Sequence, residues 1–213
     1  MSARASRSPL PGRIILASAS PRRRELLEQI GIESVVVPAD IDEGAIRHES
    51  ATILATELAR AKALTVAGRH AADVELPILA ADTVVVVQGC ILEKPVDRDD
   101  AARMLRMLSD ETHEVITGIA TVAPEVRETV RRAGQTPGGD ETEGDPVQTA
   151  GGREYSVGLD DSTAETGAIV CRAATSEVTF ARLSEAEIDA YLDSGEWQGV
   201  AGAYRIQGLA ARH

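Results

Sequence analysis

Apolar residues along this chain come in short blocks of two kinds: unbroken runs that suit buried strands, and runs at helical spacing. Ile14-Ile15-Leu16-Ala17 reads as a buried strand, which Ser18-Ala19-Ser20-Pro21 breaks into a helix start. Ser20 is placed to cap that helix, Pro21 fits its first position, Leu26, Leu27 and Ile30 form its apolar stripe, and Gly31 ends it. Residues 33–37 offer a second strand. Ser50 can cap a long helix running to about residue 67, with Leu54, Leu58, Ala61 and Leu64 on one face and Lys62 beside it. The nearly all-apolar run at 78–87 predicts a central strand covered on both sides, and Gln88-Gly89 turns it back into Cys90-Ile91-Leu92. A helix follows near 98–108, carried by Ala101, Met104, Leu105 and Leu108, and then a strand over 114–122.

From 124 to about 168 the periodicity gives way to Gly, Pro, Thr and acidic residues. Ten Asp or Glu stand there against four Arg, a net of −6, half of the chain's −12. Such a stretch cannot bury enough apolar surface to offset its ordering entropy, so a flexible acidic insertion is expected. Beyond it come a strand at 177–183 and a helix opened by a Ser184/Glu187 capping box and followed by Gly195. Strands alternating with helices around a central hairpin predict an α/β fold, a mixed twisted sheet flanked by helices, in a single domain of 213 residues.

Composition narrows the picture. With 2% aromatic residues, the core must be filled by Ala, Val, Leu and Ile. A formal charge of −12 argues against nucleic-acid binding, which needs a basic face, so any anionic substrate must be met by a local basic cluster. Cys90 and Cys171 fit no metal or redox spacing and read as reduced thiols. Residues 1–13 lack the apolar segment of a signal peptide and no run is long enough for a membrane span, so a cytoplasmic protein with no membrane partner is expected.

Asp82 is the most telling position, because a carboxylate within an apolar strand is expensive unless a metal, a cation or a donor compensates it. An Asp bonded to a loop from a strand end is the structural alternative; Lys94, only a hairpin away, tilts the reading towards a site. Arg22, Arg23 and Arg24 sit in the first turn of a helix that follows a strand, where guanidinium forks and the helix dipole can act on one anion, although a solvated basic turn reads similarly. Lys62 taken alone is an ordinary helix residue. Asp40, Asp42 and Glu43 form either a polar loop or a set of oxygen ligands of the kind Mg²⁺ prefers. His113 reads as a structural residue, and the four histidines are too dispersed for a zinc motif. No P-loop, GxGxxG or GxSxG pattern is present, and the stretch 24–32 matches only half of a Nudix box, with Gln29 in place of one paired glutamate.

Taken together, Leu16-Ala17-Ser18-Ala19-Ser20-Pro21-Arg22-Arg23, Ala81-Asp82-Thr83, Glu93-Lys94-Pro95, Met104-Leu105 with Leu108-Ser109, His113 and the segment 201–208 resemble the ordered motifs of the Maf nucleotide pyrophosphatases. The resemblance implies a fold related to the inosine triphosphate pyrophosphatases, often homodimeric, and Mg²⁺- or Mn²⁺-dependent hydrolysis of nucleoside triphosphates that cleanses the nucleotide pool. By that resemblance Asp82 is the general base and a metal ligand, Glu43 a metal-side carboxylate, and Ser18, Arg22, Lys62 and Lys94 phosphate or catalytic contacts, with Arg23 in the same cradle. Arg22, Thr83 and Gln207 match the positions marking the branch that acts on dTTP and UTP. The sequence departs from the pattern in its long acidic insertion, in Arg205 where a glycine is usual and in Val200 where a lysine is usual. It stops at His213, where relatives continue, and a second reading follows from that: a catalytically impaired nucleotide-binding regulator of cell division.

Overall fold

The computed structural model describes residues 11–69, 75–124 and 169–212. In chain order these form β1 (Arg13–Leu16), α1 (Pro21–Gln29), β2 (Glu33–Val36), a helical turn at Glu43–Ala45, α2 (Ala51–Arg69), β3 (Ile78–Val87), β4 (Cys90–Leu92), α3 (Arg98–Leu108), β5 (Thr112–Val122), β6 (Ile169–Thr179), α4 (Glu185–Asp193) and two short turns, Ala201–Ala203 and Leu209–Arg212. The strands make one mixed sheet in the order β2-β1-β3-β5-β6, with β4 paired to β3, the α/β architecture that the alternation predicts. Apart from Pro124, the acidic stretch 124–168 lies outside the described residues. No described helix is long and apolar enough to cross a membrane.

The chain packs as two compact units. The first takes in the described residues of Met1–Ile41, Ala61–Ala80 and Ala120–Val170; the second consists of Asp42–Arg60, Ala81–Ile119 and Cys171–His213.

In the first unit β1 pairs in parallel with β2, Arg13 opposite Glu33 and Leu16 opposite Val36, and also with the start of β3, Leu16 opposite Leu79. Parallel neighbours need a crossover, and α1 supplies it between β1 and β2. Ile14, Ile15, Leu16 and Ala17 are all buried, as their unbroken run predicts. The apolar stripe expected on α1 is not buried: no residue of the helix is, and Leu26 and Ile30 are 50% and 61% exposed. The spacing defines a face, but α1 packs on β2, an edge strand of four residues whose own Val35 and Val36 are exposed, so there is too little surface to cover it.

The second unit holds the larger core. Val85, Val87 and Leu92 of the β3–β4 hairpin pack with Ala101, Met104, Leu105 and Leu108 of α3 and with Ile188, Tyr191 and Leu192 of α4. Gln88 and Gly89 both take positive φ, 50° and 77°, as a tight two-residue hairpin turn requires. Asp97 caps α3 by accepting from the Asp100 N–H at 2.8 Å, and the Ser184/Glu187 capping box opens α4 as the sequence predicts. Along α2 the buried arc is Leu54, Ala55, Leu58, Ala59, Lys62, Ala63 and Val66; Ala61 and Leu64, expected on the apolar face, are only half-buried. The last strand also differs from expectation. It runs from Ile169 to Thr179, while Phe180 to Leu183 leave it to reach α4. The spacing of Val178, Phe180 and Leu183 mimics a strand, whereas β6 has no fully buried residue and so carries little apolar signal. Gly118 of β5 lies so close to α2 that a Cβ there would collide with the backbone carbonyl of Ala55.

His113 is structural, as the sequence suggests. Its ring is buried edge-on to Phe180 and Tyr204, and Nε2 lies 2.7 Å from the Tyr204 hydroxyl. Burial holds the imidazole below its ordinary range. The unfolded chain therefore takes up this proton first. The contribution of neutral His113 is whole above about pH 6.5 and is lost as pH falls below that value towards the lower folded pKa. In urea titrations at pH 7.5 and 5.5 the unfolding midpoint should fall at the lower pH, and by less in His113→Asn; equal falls would show that other groups set the acid sensitivity.

Candidate active site

β3 is apolar along nearly its whole length, with Ile78, Ala80, Val84, Val85 and Val87 all buried, and Asp82 in its middle is 5% exposed. A carboxylate in that setting faces the full cost of desolvation unless its surroundings are polar, and here they are. Asp82, Thr83 and Val84 form one wall of a cleft of about 200 Å³ in the second unit; Glu43 and Gly44 from the helical turn, Leu58 from α2, and Glu93 and Lys94 just after β4 form the rest. The strand-end alternative for Asp82 is thereby set aside.

The cleft is crossed by charge. The Lys94 ammonium donates to Glu43 Oε2 at 2.7 Å. Arg47, four residues beyond Glu43, donates through Nη1 to both oxygens of Glu93, at 2.9 and 3.3 Å. The backbone N–H of Gly202 donates to the Glu93 carbonyl, tying the hairpin end to the turn that holds Ala203. Gly202 has φ 69°, and a Cβ there would press on Val85, so this turn needs glycine. The Thr83 hydroxyl shares a hydrogen bond of 3.0 Å with Thr117 on β5.

Thus Glu43 shares one cleft with Asp82, Thr83 and Lys94, which lie far from it in sequence. Gln207 is exposed on the turn before Leu209–Arg212 and is not among the residues lining it. Of the acidic group, Asp40 is turned to Arg69 at 3.8 Å in the first unit, and only Glu43 lines the cleft. Among the described residues no three His, Cys, Asp or Glu side chains converge on a metal position.

In the first unit, Ser18 is buried and its hydroxyl accepts from the Ser20 N–H at 3.2 Å and from Arg23 Nη1 at 3.0 Å. Ser20 holds the N-cap position of α1 in extended backbone, but its side chain makes no capping bond. The expected cap is therefore replaced by a turn that Ser18 closes. Arg22 and Arg23 are half-buried at this helix start, while Arg24 faces outward and pairs with Glu28. Lys62 is 8% exposed, so it is not the ordinary surface lysine that its sequence setting allows.

Sequence reasoning gave no role to Glu93 or Arg47. Glu93 was signalled by its place in Glu93-Lys94-Pro95; Arg47 had no local signal, because its partner lies 46 residues away.

The family model of Maf-like proteins matches residues 13–137 and 154–213. The dTTP/UTP pyrophosphatase of Paramagnetospirillum magneticum is 40% identical over 201 residues, covering 94% of this chain and 83% of that one. The proteins of the same name from Hyphomonas neptunium and Hahella chejuensis are 42% and 40% identical, covering 92% and 94% of this chain and 80% of each relative. A solved nucleoside-triphosphatase / dITP/XTP pyrophosphatase from Mycobacterium abscessus aligns over 80% of this chain and 75% of its own at 15% identity, with a TM-score of 0.36. With a family match over residues 13–137 and 154–213 and relatives about 40% identical across more than nine-tenths of its length, the chain belongs to the Maf-like protein family.

Proposed function

We propose that this protein hydrolyses dTTP and UTP to the nucleoside monophosphate and pyrophosphate. The observation that carries the reading is Asp82, a carboxylate held 5% exposed in an apolar strand and lining a cleft with Lys94 and Glu43. The names of the relatives at about 40% identity support the substrate pair.

Asp82 orients a water molecule and takes its proton as the oxygen attacks the α-phosphorus. The bond to the bridging oxygen breaks, and pyrophosphate leaves with its electron pair. Lys94 offsets the charge that grows on the departing group, exchanging its bond to Glu43 for phosphate oxygens. Divalent ions such as Mg²⁺ or Mn²⁺ are held by one or two carboxylates together with phosphate oxygens, a donor set that Glu43 and Asp82 fit. When bound, such an ion supplies charge for the phosphate oxygens and eases deprotonation of water. In the first unit, the helix start at Pro21 with Arg22 and Arg23 is suited to phosphate, since backbone N–H groups and guanidinium donors meet there.

Pyrophosphate release should be measured with Mg²⁺ on dTTP, UTP, CTP, dATP and GTP. Turnover of dTTP and UTP well above the rest is the expected result. Release from none of them would overturn the reading, and nucleotide binding without release would favour the regulator in its place.

A further inference from the structure

Three carboxylates, Glu43, Asp82 and Glu93, line the cleft against one ammonium, Lys94, and that ammonium is already bonded to Glu43. A triphosphate entering such a cleft is a polyanion, and each carboxylate that keeps its full charge works against it. Glu93 has no role in the hydrolysis as described, yet it faces the same space. Arg47 reaches it from the segment after Glu43 and places one guanidinium nitrogen on both of its oxygens. Arg47 does not line the cleft itself. Its side chain is 63% exposed, and that of Glu93 46%, so as a contribution to stability such a pair is worth little. What it changes is the field at the cleft.

We infer that Arg47 is a binding determinant for the polyphosphate, acting by neutralising Glu93 at the cleft wall. This rests on the cleft being a triphosphate site, as proposed above. Glu93 without Arg47 repels the substrate, and Arg47 without Glu93 attracts it, so Glu93→Gln should bind the probe more tightly than the parent at low salt. The effect therefore depends on charge, weakens with salt, and disappears when both residues are made neutral.

The test uses inorganic tripolyphosphate with Mg²⁺ as the probe, followed by calorimetry at low ionic strength and again at about 0.3 M salt, on the full chain and on Arg47→Gln, Glu93→Gln and the double variant. Arg47→Gln should weaken binding by about threefold to tenfold at low salt, with a much smaller loss at high salt, as expected of a partly screened single charge. The double variant should return to within about twofold of the parent. With dTTP, KM should rise in Arg47→Gln while kcat holds. A double variant as weak as Arg47→Gln would show that the pair merely holds the loop in place and would overturn the inference, as would an unchanged Arg47→Gln or a parent protein that does not bind tripolyphosphate. If the parent binds tripolyphosphate and responds to Arg47→Gln as stated but releases no pyrophosphate from dTTP or UTP, the proposed activity falls and this inference stands.

Discussion

Asp82→Asn should lower turnover of dTTP and UTP by about 10² to 10⁴, the usual cost of removing a general base. The carboxamide keeps the shape of a side chain that is 5% exposed within β3, so the strand and its packing are retained. Binding should hold or improve, because one negative charge leaves a cleft also lined by Glu43 and Glu93. A fall in kcat without a rise in KM, at an unchanged thermal midpoint, is the pattern that separates lost chemistry from lost fold. Turnover near that of the parent would remove Asp82 from the mechanism.

Lys94→Met should cost nearly as much. It takes away the cation set to meet the leaving pyrophosphate, and it removes the 2.7 Å hydrogen bond to Glu43. Loss of one electrostatic contact of this kind at a transition state typically costs about 10² to 10³ in kcat. Lys94→Arg keeps the charge but not the compact ammonium, and should recover part of the loss. If Lys94→Met stays within tenfold of the parent, the lysine serves Glu43 alone and stays out of the reaction.

How much of this was legible in the sequence depended on whether a signal was local. β3 and its hairpin could be read because ten residues run almost wholly apolar into Gln88-Gly89. α3 could be read because Ala101, Met104, Leu105 and Leu108 share one face; its cap at Asp97 emerged only in the structure. Asp82 stood out for the converse reason, a charge where the pattern leaves no room for one. The stripe on α1 failed because Leu26 and Ile30 mark a face while burial depends on what lies opposite, and β2 is too short to cover them. The start of β6 was hidden because an edge strand with no fully buried residue has no need of apolar alternation. The pairing of Arg47 with Glu93 was out of reach: Glu93 stood beside Lys94 and Pro95, but an ion pair across 46 residues is a product of the fold, and nothing near Arg47 marked it.

Gly118 sets a dimension as well as allowing a contact. At that point α2 rests against bare strand backbone, with no side chain between Gly118 and the Ala55 carbonyl. Leu58, one helical turn further along α2 from Ala55 and Leu54, is part of the cleft wall. The wall at Leu58 is thus gauged by peptide groups, which cannot change rotamer or shrink by a methylene. Any residue larger than glycine at position 118 would act as a shim, pushing the helix off the strand by an amount that no neighbouring side chain could take up. A position with no functional group of its own would in this way set the distance between β5 and the wall at Leu58.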